Sequence, residues 1–291
     1  MTGPHLGTTP DPGRRGAVLG SPVAHSLSPI LHRTAYAGLG LADWRYDAIE
    51  CAEGDLAALV ESMGSEWAGL SLTMPLKRAV LPLLDTVSDL AVEVGGANTV
   101  VFRDGARHGE NTDVYGIVQA LAEAGVAAPS AATILGGGAT AASALAALRE
   151  MGLAEVTMVV RNASRAGETL DVAERLGVAV AVRTLDGFDG TYVDGDLVIS
   201  TLPSGAADGL AGEIAAALPD KGALFDVVYS PWPTALARAV QDRGGAVVGG
   251  FPMLLHQAVK QVELMTGRAD VPVEAMRAAG EAEIARRAAQ E

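Results

Sequence analysis

A single cysteine, Cys51, in 291 residues excludes an intramolecular disulfide and any zinc site built on paired thiolates. The five histidines, at positions 5, 25, 32, 108 and 256, show neither HxxxH nor HExxH spacing, so no metal is expected. Aromatic residues make up only 4% of the chain. No apolar run reaches the roughly 18 residues that a membrane-spanning helix needs. Positive charge is short as well. The net charge of −14 repels nucleic acid and anionic membranes, so an anionic ligand must be held by local cations or backbone N–H groups. The opening stretch "MTGPHLGTTPDPGRR" (1–15) has no hydrophobic segment and reads as a flexible tail, not a signal peptide. The default reading is a soluble cytoplasmic protein.

What is present points to an α/β protein. Hydrophobic residues are 49% of the chain, and there are 35 glycines, enough for a large core with many tight turns. Short apolar runs alternate with helical patterns. "GAVLG" (16–20), "WRYDAIE" (44–50), "WAGLSLT" (67–73) and "NTVVF" (98–102) read as strands. Helical patterns cover 28–40 and 55–63, and another runs from Asp113. A second series begins after 132 with "TILGGG", "VTMVV", "DLVIST" and "ALFDVVY" as strands, and two helices close the chain. This order predicts mainly parallel sheets in two units, with a break near 112.

Two places suggest chemistry. In "SLTMPLKRA" (71–79) a strand runs into a helix, with Pro75 fitting the first helical position. Lys77 then falls in the first turn, where the helix dipole disfavours a cation by several tenths of a kcal/mol. In "TILGGGATAASALAAL", Gly136, Gly138 and Ala141 occupy the G-x-G-x-x-G/A places between a strand and a helix. That context suits a dinucleotide pyrophosphate. No acid follows the next strand. Arg161 and Arg165 stand there instead, and guanidinium forks suit a 2′-phosphate, so NADP is favoured over NAD.

Other polar residues fit local structure as well as function. Ser28 before Pro29 makes a good N-cap, and Asp113 could cap the next helix. Ser26 and Ser28 also form a ready carboxylate site at a helix start. Asn-Thr pairs at 98–99 and 111–112 mark turns, and Gln257 fits a helix face.

In series, "GSPVAHSLSPILH", "LTMPLK", "GGANTV", "ENTDVYG", "GGGATA", "STLPSG", "DVVYSPWPT" and "GGFPMLLHQAVKQVELMTG" resemble the shikimate dehydrogenase family over nearly the whole chain. The resemblance implies NADPH-dependent reduction of 3-dehydroshikimate to shikimate, a step of aromatic amino-acid biosynthesis. It implies an open α/β substrate domain (16–112 and 251–291), a Rossmann domain (113–250) and a cleft between them. It further implies that Ser26 and Ser28 bind the substrate carboxylate, and that Thr73, Asn98, Asp113 and Gln257 hold ring hydroxyls, with Tyr229 close by. Lys77 and Asp113 match the catalytic pair, and Gly136, Gly137, Gly138, Ala139 and Thr140 match the phosphate turn. Arg161 and Arg165 match the arginines that select NADP, and Gly250 and Met253 fall near the nicotinamide. Relatives are monomers or homodimers, and no nucleic-acid or membrane partner is expected.

Four places depart from the family pattern. "VVRN" (159–162) lacks the usual "NRT", which keeps the arginine but changes its neighbours. Ser71 replaces a usual Asn, Gly249 replaces a usual Asp, and "GGGAT" replaces the common "GAGGA". Ser28, where quinate-using relatives tend to carry Thr, favours shikimate. A quinate or aminoshikimate dehydrogenase on the same fold is the nearest alternative. A non-catalytic NADP-binding sensor should have lost the reactive pair. A methylenetetrahydrofolate dehydrogenase is disfavoured by the paired serines and "ENTDVYG".

Overall fold

The alternation of strand and helix builds two six-stranded sheets. The computed structural model describes residues 13–188 and 190–290, except the side chain of Arg165. Of the expected tail, residues 1–12 lie outside the described residues, and Arg15 already opens the first strand.

The first half runs β1 (Arg15–Gly20), α1 (Ser28–Gly38), β2 (Arg45–Glu50), α2 (Glu53–Glu61), β3 (Trp67–Leu72), α3 (Leu76–Ala79), β4 (Thr86–Val87), α4 (Asp89–Val94), β5 (Thr99–Arg103) and β6 (Ala106–Glu110). The sheet order is β2-β1-β3-β5-β6-β4. β1 pairs in parallel with β2 and β3, whereas β5 pairs antiparallel with both β3 and β6. This sheet is therefore mixed. The β5–β6 hairpin turns at Asp104-Gly105, both with positive φ (53° and 76°). An Asp-Gly pair between two strand-like runs is a hairpin signal, and it was legible in "VVFRDGARHGE".

The second half runs α5 (Asp113–Glu123), β7 (Ala132–Leu135), α6 (Ala139–Glu150), β8 (Glu155–Val160), α7 (Gly167–Leu176), β9 (Ala179–Thr184), β10 (Leu197–Ser200), α8 (Ala211–Ala217), β11 (Ala223–Asp226), α9 (Ala235–Asp242), β12 (Ala246–Val248), α10 (Gly250–Thr266) and α11 (Val273–Ala288). Its sheet is wholly parallel, in the order β12-β11-β10-β7-β8-β9. That is the doubly wound dinucleotide-binding order, with a switch point between β7 and β10. β7, β10 and β11 are buried along their whole length, as strands covered on both faces must be.

Each sheet carries a core on both faces. One face of the second sheet packs on α5, α6 and α7, and the other on α8 and α9. The first sheet packs on α1, α10 and α11 on one side and on α2 and α3 on the other. Thus α10 and α11 follow the last strand of the second sheet yet cover the first. α10 also lies against α5. A Cβ at Gly116 would sit 2.7 Å from the Met253 carbonyl oxygen and 3.2 Å from Gln257 Cβ, so only glycine lets these helices approach. Their closeness brings the start of α5 to Gln257.

Candidate active site

The electrostatic puzzle of Lys77 resolves against the helix-start reading. α3 is a four-residue turn with Pro75 preceding it at the cap position. So short a turn aligns too few peptide dipoles for a substantial end charge. Lys77 is placed by its partner instead: its Nζ donates to Asp113 Oδ2 at 2.6 Å.

Asp113 is free to accept because it does not cap its own helix. Asn111 Oδ1 accepts from the N–H groups of Asp113 and Val114, at 3.1 and 3.4 Å. Ser28 likewise makes no side-chain cap. The N–H of Ser28 donates to Ser26 Oγ at 3.2 Å, and the Ser28 hydroxyl has no partner among the described residues. Both residues fit caps by sequence, and neighbouring side chains relieve both of that task.

The two Asn-Thr turns meet. Thr112 N–H donates to Asn98 Oδ1 at 2.8 Å. A backbone N–H must face an acceptor, so the orientation of the Asn98 amide is fixed. Its Nδ2 then donates to Asp113 Oδ1 at 2.9 Å, Gln257 Oε1 at 2.8 Å and Thr112 Oγ1 at 3.0 Å. Gln257 Nε2 remains without a protein partner among the described residues.

A pocket of about 210 Å³ collects these groups. Ser28, Thr73, Lys77, Asp113, Tyr229, Gly250, Met253 and Gln257 line it, and so does Thr140 at the start of α6. Ser26 and Asn98 do not line it; each is tied to a lining residue, Ser26 by accepting from the Ser28 N–H and Asn98 by donating to Asp113 Oδ1. Tyr229 is carried on the loop after β11, which Asp226 pins. Thr234 Oγ1 donates to Asp226 Oδ2 at 2.8 Å, and Val228 N–H donates to Oδ1 at 3.2 Å. Burial pushes the Asp226 carboxyl up from its ordinary value, against these two hydrogen bonds. Burial also pushes the Tyr229 phenol up.

Thr73, Lys77 and Thr140 also face a cleft of about 610 Å³ that includes Gly138 and Ala139. Arg78 and Glu168, paired with each other, also line it. Gly138 leads on to a groove of about 570 Å³ lined by Gly136, Gly137, Val160, Arg161 and Asn162. Gly136 has φ +114°, and a Cβ there would lie 2.3 Å from Thr201 Oγ1. Gly138 caps α6, and a Cβ on it would meet nothing within 4 Å. Space open over a backbone that leads into a helix N-terminus fits a pyrophosphate. Gly137 stands 3.0 Å, at its would-be Cβ, from Val160 Cγ1, so the altered glycine pattern still serves close packing and an open face. Arg161, exposed beside the turn, suits a further phosphate. The Arg165 side chain lies outside the described residues.

Of the other polar residues at the site, Gln261 carried no sequence signal, Thr99 and Thr112 were marked only as members of the Asn-Thr turns, and Ser71 only as a departure from the family pattern. The Ser71 hydroxyl accepts from Tyr46 at 2.5 Å and donates to Gln261 Oε1 at 2.8 Å. Gly249 also has a neighbour that explains it. A Cβ there would approach the Trp232 ring at 3.1–3.2 Å, so a larger side chain would displace the indole. Among the described residues no group of potential ligands could hold a metal ion, and no helix is long and apolar enough to cross a membrane.

A doubly wound sheet with an open glycine turn, joined by a cleft to a second α/β unit holding a Lys–Asp pair, defines a two-domain, dinucleotide-linked oxidoreductase. The family model for the shikimate dehydrogenase substrate binding domain matches residues 18–100, and that for the shikimate 5′-dehydrogenase C-terminal domain matches 250–279. The NADP(+)-dependent shikimate dehydrogenase of Methanothermobacter thermautotrophicus is 34% identical over 89% of this chain and 93% of its own. The crystal structure of Mycobacterium tuberculosis shikimate dehydrogenase superposes with a TM-score of 0.84 at 43% identity, covering 92% of this chain and 99% of that one. The Thermus thermophilus enzyme in complex with NADP(H) and shikimate superposes at 0.79 with 32% identity, over 92% and 98% of the two chains. The chain belongs to the shikimate dehydrogenase family.

Proposed function

We propose that this protein interconverts 3-dehydroshikimate and shikimate with NADPH/NADP+, with Lys77 as the acid/base. The observation that carries the assignment is the 2.6 Å Lys77–Asp113 pair in a pocket that opens, past Thr140, toward the glycine turn. NADPH, when bound, supplies the hydride to the ketone carbon.

The residues around that carbon meet the remaining needs. Adding a hydride to a ketone leaves an alkoxide, which needs a proton. Lys77 Nζ holds one at the pocket wall and also offers positive charge to the developing oxyanion. Asp113 keeps the ammonium in place with Oδ2 and is itself held by Asn98 through Oδ1. In the reverse direction the neutral amine takes the hydroxyl proton. The Ser28 hydroxyl, with Ser26 behind it, serves the substrate carboxylate. Thr73 and the free Nε2 of Gln257 serve ring hydroxyls, and Tyr229 closes the side of the pocket. Gly136, Gly137, Gly138, Ala139 and Thr140 would hold the pyrophosphate, Arg161 and, by its place in the sequence, Arg165 would hold the 2′-phosphate, and Gly250 and Met253 would border the nicotinamide. On this reading residues 16–112 and 251–291 form the substrate domain and 113–250 the cofactor domain.

The test is a steady-state assay of NADP+ reduction with shikimate, with NAD+ and quinate as controls. Turnover of shikimate with NADP+ well above both controls is the expected result. Preference for quinate would overturn the substrate assignment, and preference for NAD+ the role of the arginines.

A further inference from the structure

Beneath the reacting pair lie two buried polar side chains that the mechanism above does not use, Ser71 of β3 and Gln261 of α10. They are 4% and 2% exposed. A polar side chain buried this far costs stability unless it is hydrogen-bonded, and both are bonded into one line. Tyr46 OH donates to Ser71 Oγ (2.5 Å), and Ser71 Oγ donates to Gln261 Oε1 (2.8 Å). Gln261 Nε2 donates to Thr99 Oγ1 (3.1 Å), and Thr99 Oγ1 donates to Asn98 Oδ1 (2.9 Å). Asn98 Nδ2 donates to Asp113 Oδ1 (2.9 Å).

We infer that Ser71 and Gln261 are positioning residues that, together with the Thr112 N–H, hold the amide of Asn98 in place and, through it, the carboxylate that holds Lys77. The inference rests on the reading of Lys77 and Asp113 as the reacting pair. At each link the shortest contact sets the direction, the competing contacts of Thr99 to Thr112 Oγ1 and of Gln261 Nε2 to the Asn98 carbonyl being longer, at 3.5 and 3.4 Å. The Tyr46 hydroxyl donates at the head of the line, and burial pushes its phenol up from its ordinary value, which keeps that proton in place. Ser71, having accepted that proton, has its own to give, and Gln261 must present oxygen to it. Gln261 nitrogen then faces Thr99, whose hydroxyl proton goes to Asn98 oxygen. That oxygen also accepts from Thr112 N–H, so Asn98 can offer only nitrogen to Asp113. A flipped Asn98 would set a carbonyl against a carboxylate. Ser71 and Gln261 both border the substrate pocket, but the Ser71 hydroxyl and both ends of the Gln261 amide are engaged, so they act through Asn98 and not on the substrate.

The experiment compares Gln261→Met, Asn98→Ala and the double variant, with Ser71→Ala as a second cut in the same line. Thermal unfolding checks that each is folded. With shikimate and NADP+, Gln261→Met and Ser71→Ala are expected to lower kcat about 10- to 100-fold, the scale of a small misplacement at a reacting group, with the KM for NADP+ unchanged. Gln261→Met should cost nothing more in the Asn98→Ala background, because its effect passes through that amide. Wild-type kcat in the folded single variants, or losses that multiply in the double variant, would overturn the inference. A second readout needs no turnover. In the free protein the Asn98 Nδ2 protons should give two dispersed, slowly exchanging NMR signals that shift and exchange faster in both single variants. Unchanged signals would refute the relay, whereas a wild-type protein inactive on shikimate would refute the functional reading and leave the NMR test standing.

Discussion

Replacing Lys77 with Met keeps most of the side-chain volume and removes only the ammonium. The Asp113 side chain is 2% exposed and that of Lys77 is 16% exposed. The variant therefore leaves a buried carboxylate with Asn98 Nδ2 as its remaining side-chain donor. Removing one member of a buried ion pair costs about 3–5 kcal/mol. Lys77 borders an open pocket that water can enter, so the low end, about 3 kcal/mol, is expected for this pair. For a chain of this size that is a fall in Tm of about 6–12 °C. Loss of the proton donor should also lower kcat by about 10²–10⁴-fold. The double variant Lys77→Met/Asp113→Asn removes both charges and should regain much of the Tm while staying inactive. Differential scanning fluorimetry and NADP+ reduction at saturating shikimate measure the two effects. A lowered Tm with activity within tenfold of wild type would make the pair structural and refute the mechanism. An unchanged Tm would refute the reasoning about burial.

Two glycines should separate fold from cofactor. Gly136→Ala forces a Cβ onto Thr201 at φ +114° and should cost about 1–3 kcal/mol of stability; Gly138→Ala meets no protein atom and should leave Tm within a degree or so while raising the KM for NADP+ about tenfold. The reverse pattern in unfolding and kinetics would refute the assignment of the turn. Arg161→Gln should raise the KM for NADP+ about 10- to 100-fold, the value of one charge-assisted hydrogen bond, and leave that for NAD+ nearly unchanged. His32 is fully buried, and burial lowers its pKa from 6.5 to about 4, against a weaker opposing effect of its hydrogen bond to Ser28 O. Between those values the unfolded chain binds a proton that the native one refuses. His32 therefore contributes stability that is present above pH 6.5 and is lost as pH falls toward 4, roughly 3 kcal/mol in all. His32→Leu should flatten this part of the Tm-versus-pH curve, and an unchanged slope would refute His32 as its origin.

Local pattern by itself determined a good deal. The βα rhythm, the glycine turn after β7, the arginine after β8 and the order of the short motifs depend on neighbours a few residues apart, and local backbone chemistry reads them directly. The Asp104-Gly105 hairpin carries the same kind of local signal, but the expectation of mainly parallel sheets passed over it. Tertiary structure decided the rest, because it turns on groups far apart in the chain. Whether Ser28 and Asp113 cap helices or face a pocket depends on Ser26 and Asn111 taking over the backbone N–H groups. Whether Lys77 is misplaced depends on α3 being one turn long and on a carboxylate delivered by α5. Ser71 looked like an unexplained departure until α10, arriving some 190 residues later, set Gln261 against it. A hydrogen bond has no signature in sequence spacing when its two ends are joined only by packing, and the Lys77–Asp113 pair is tied to Gln261 and Ser71 by a line of such bonds.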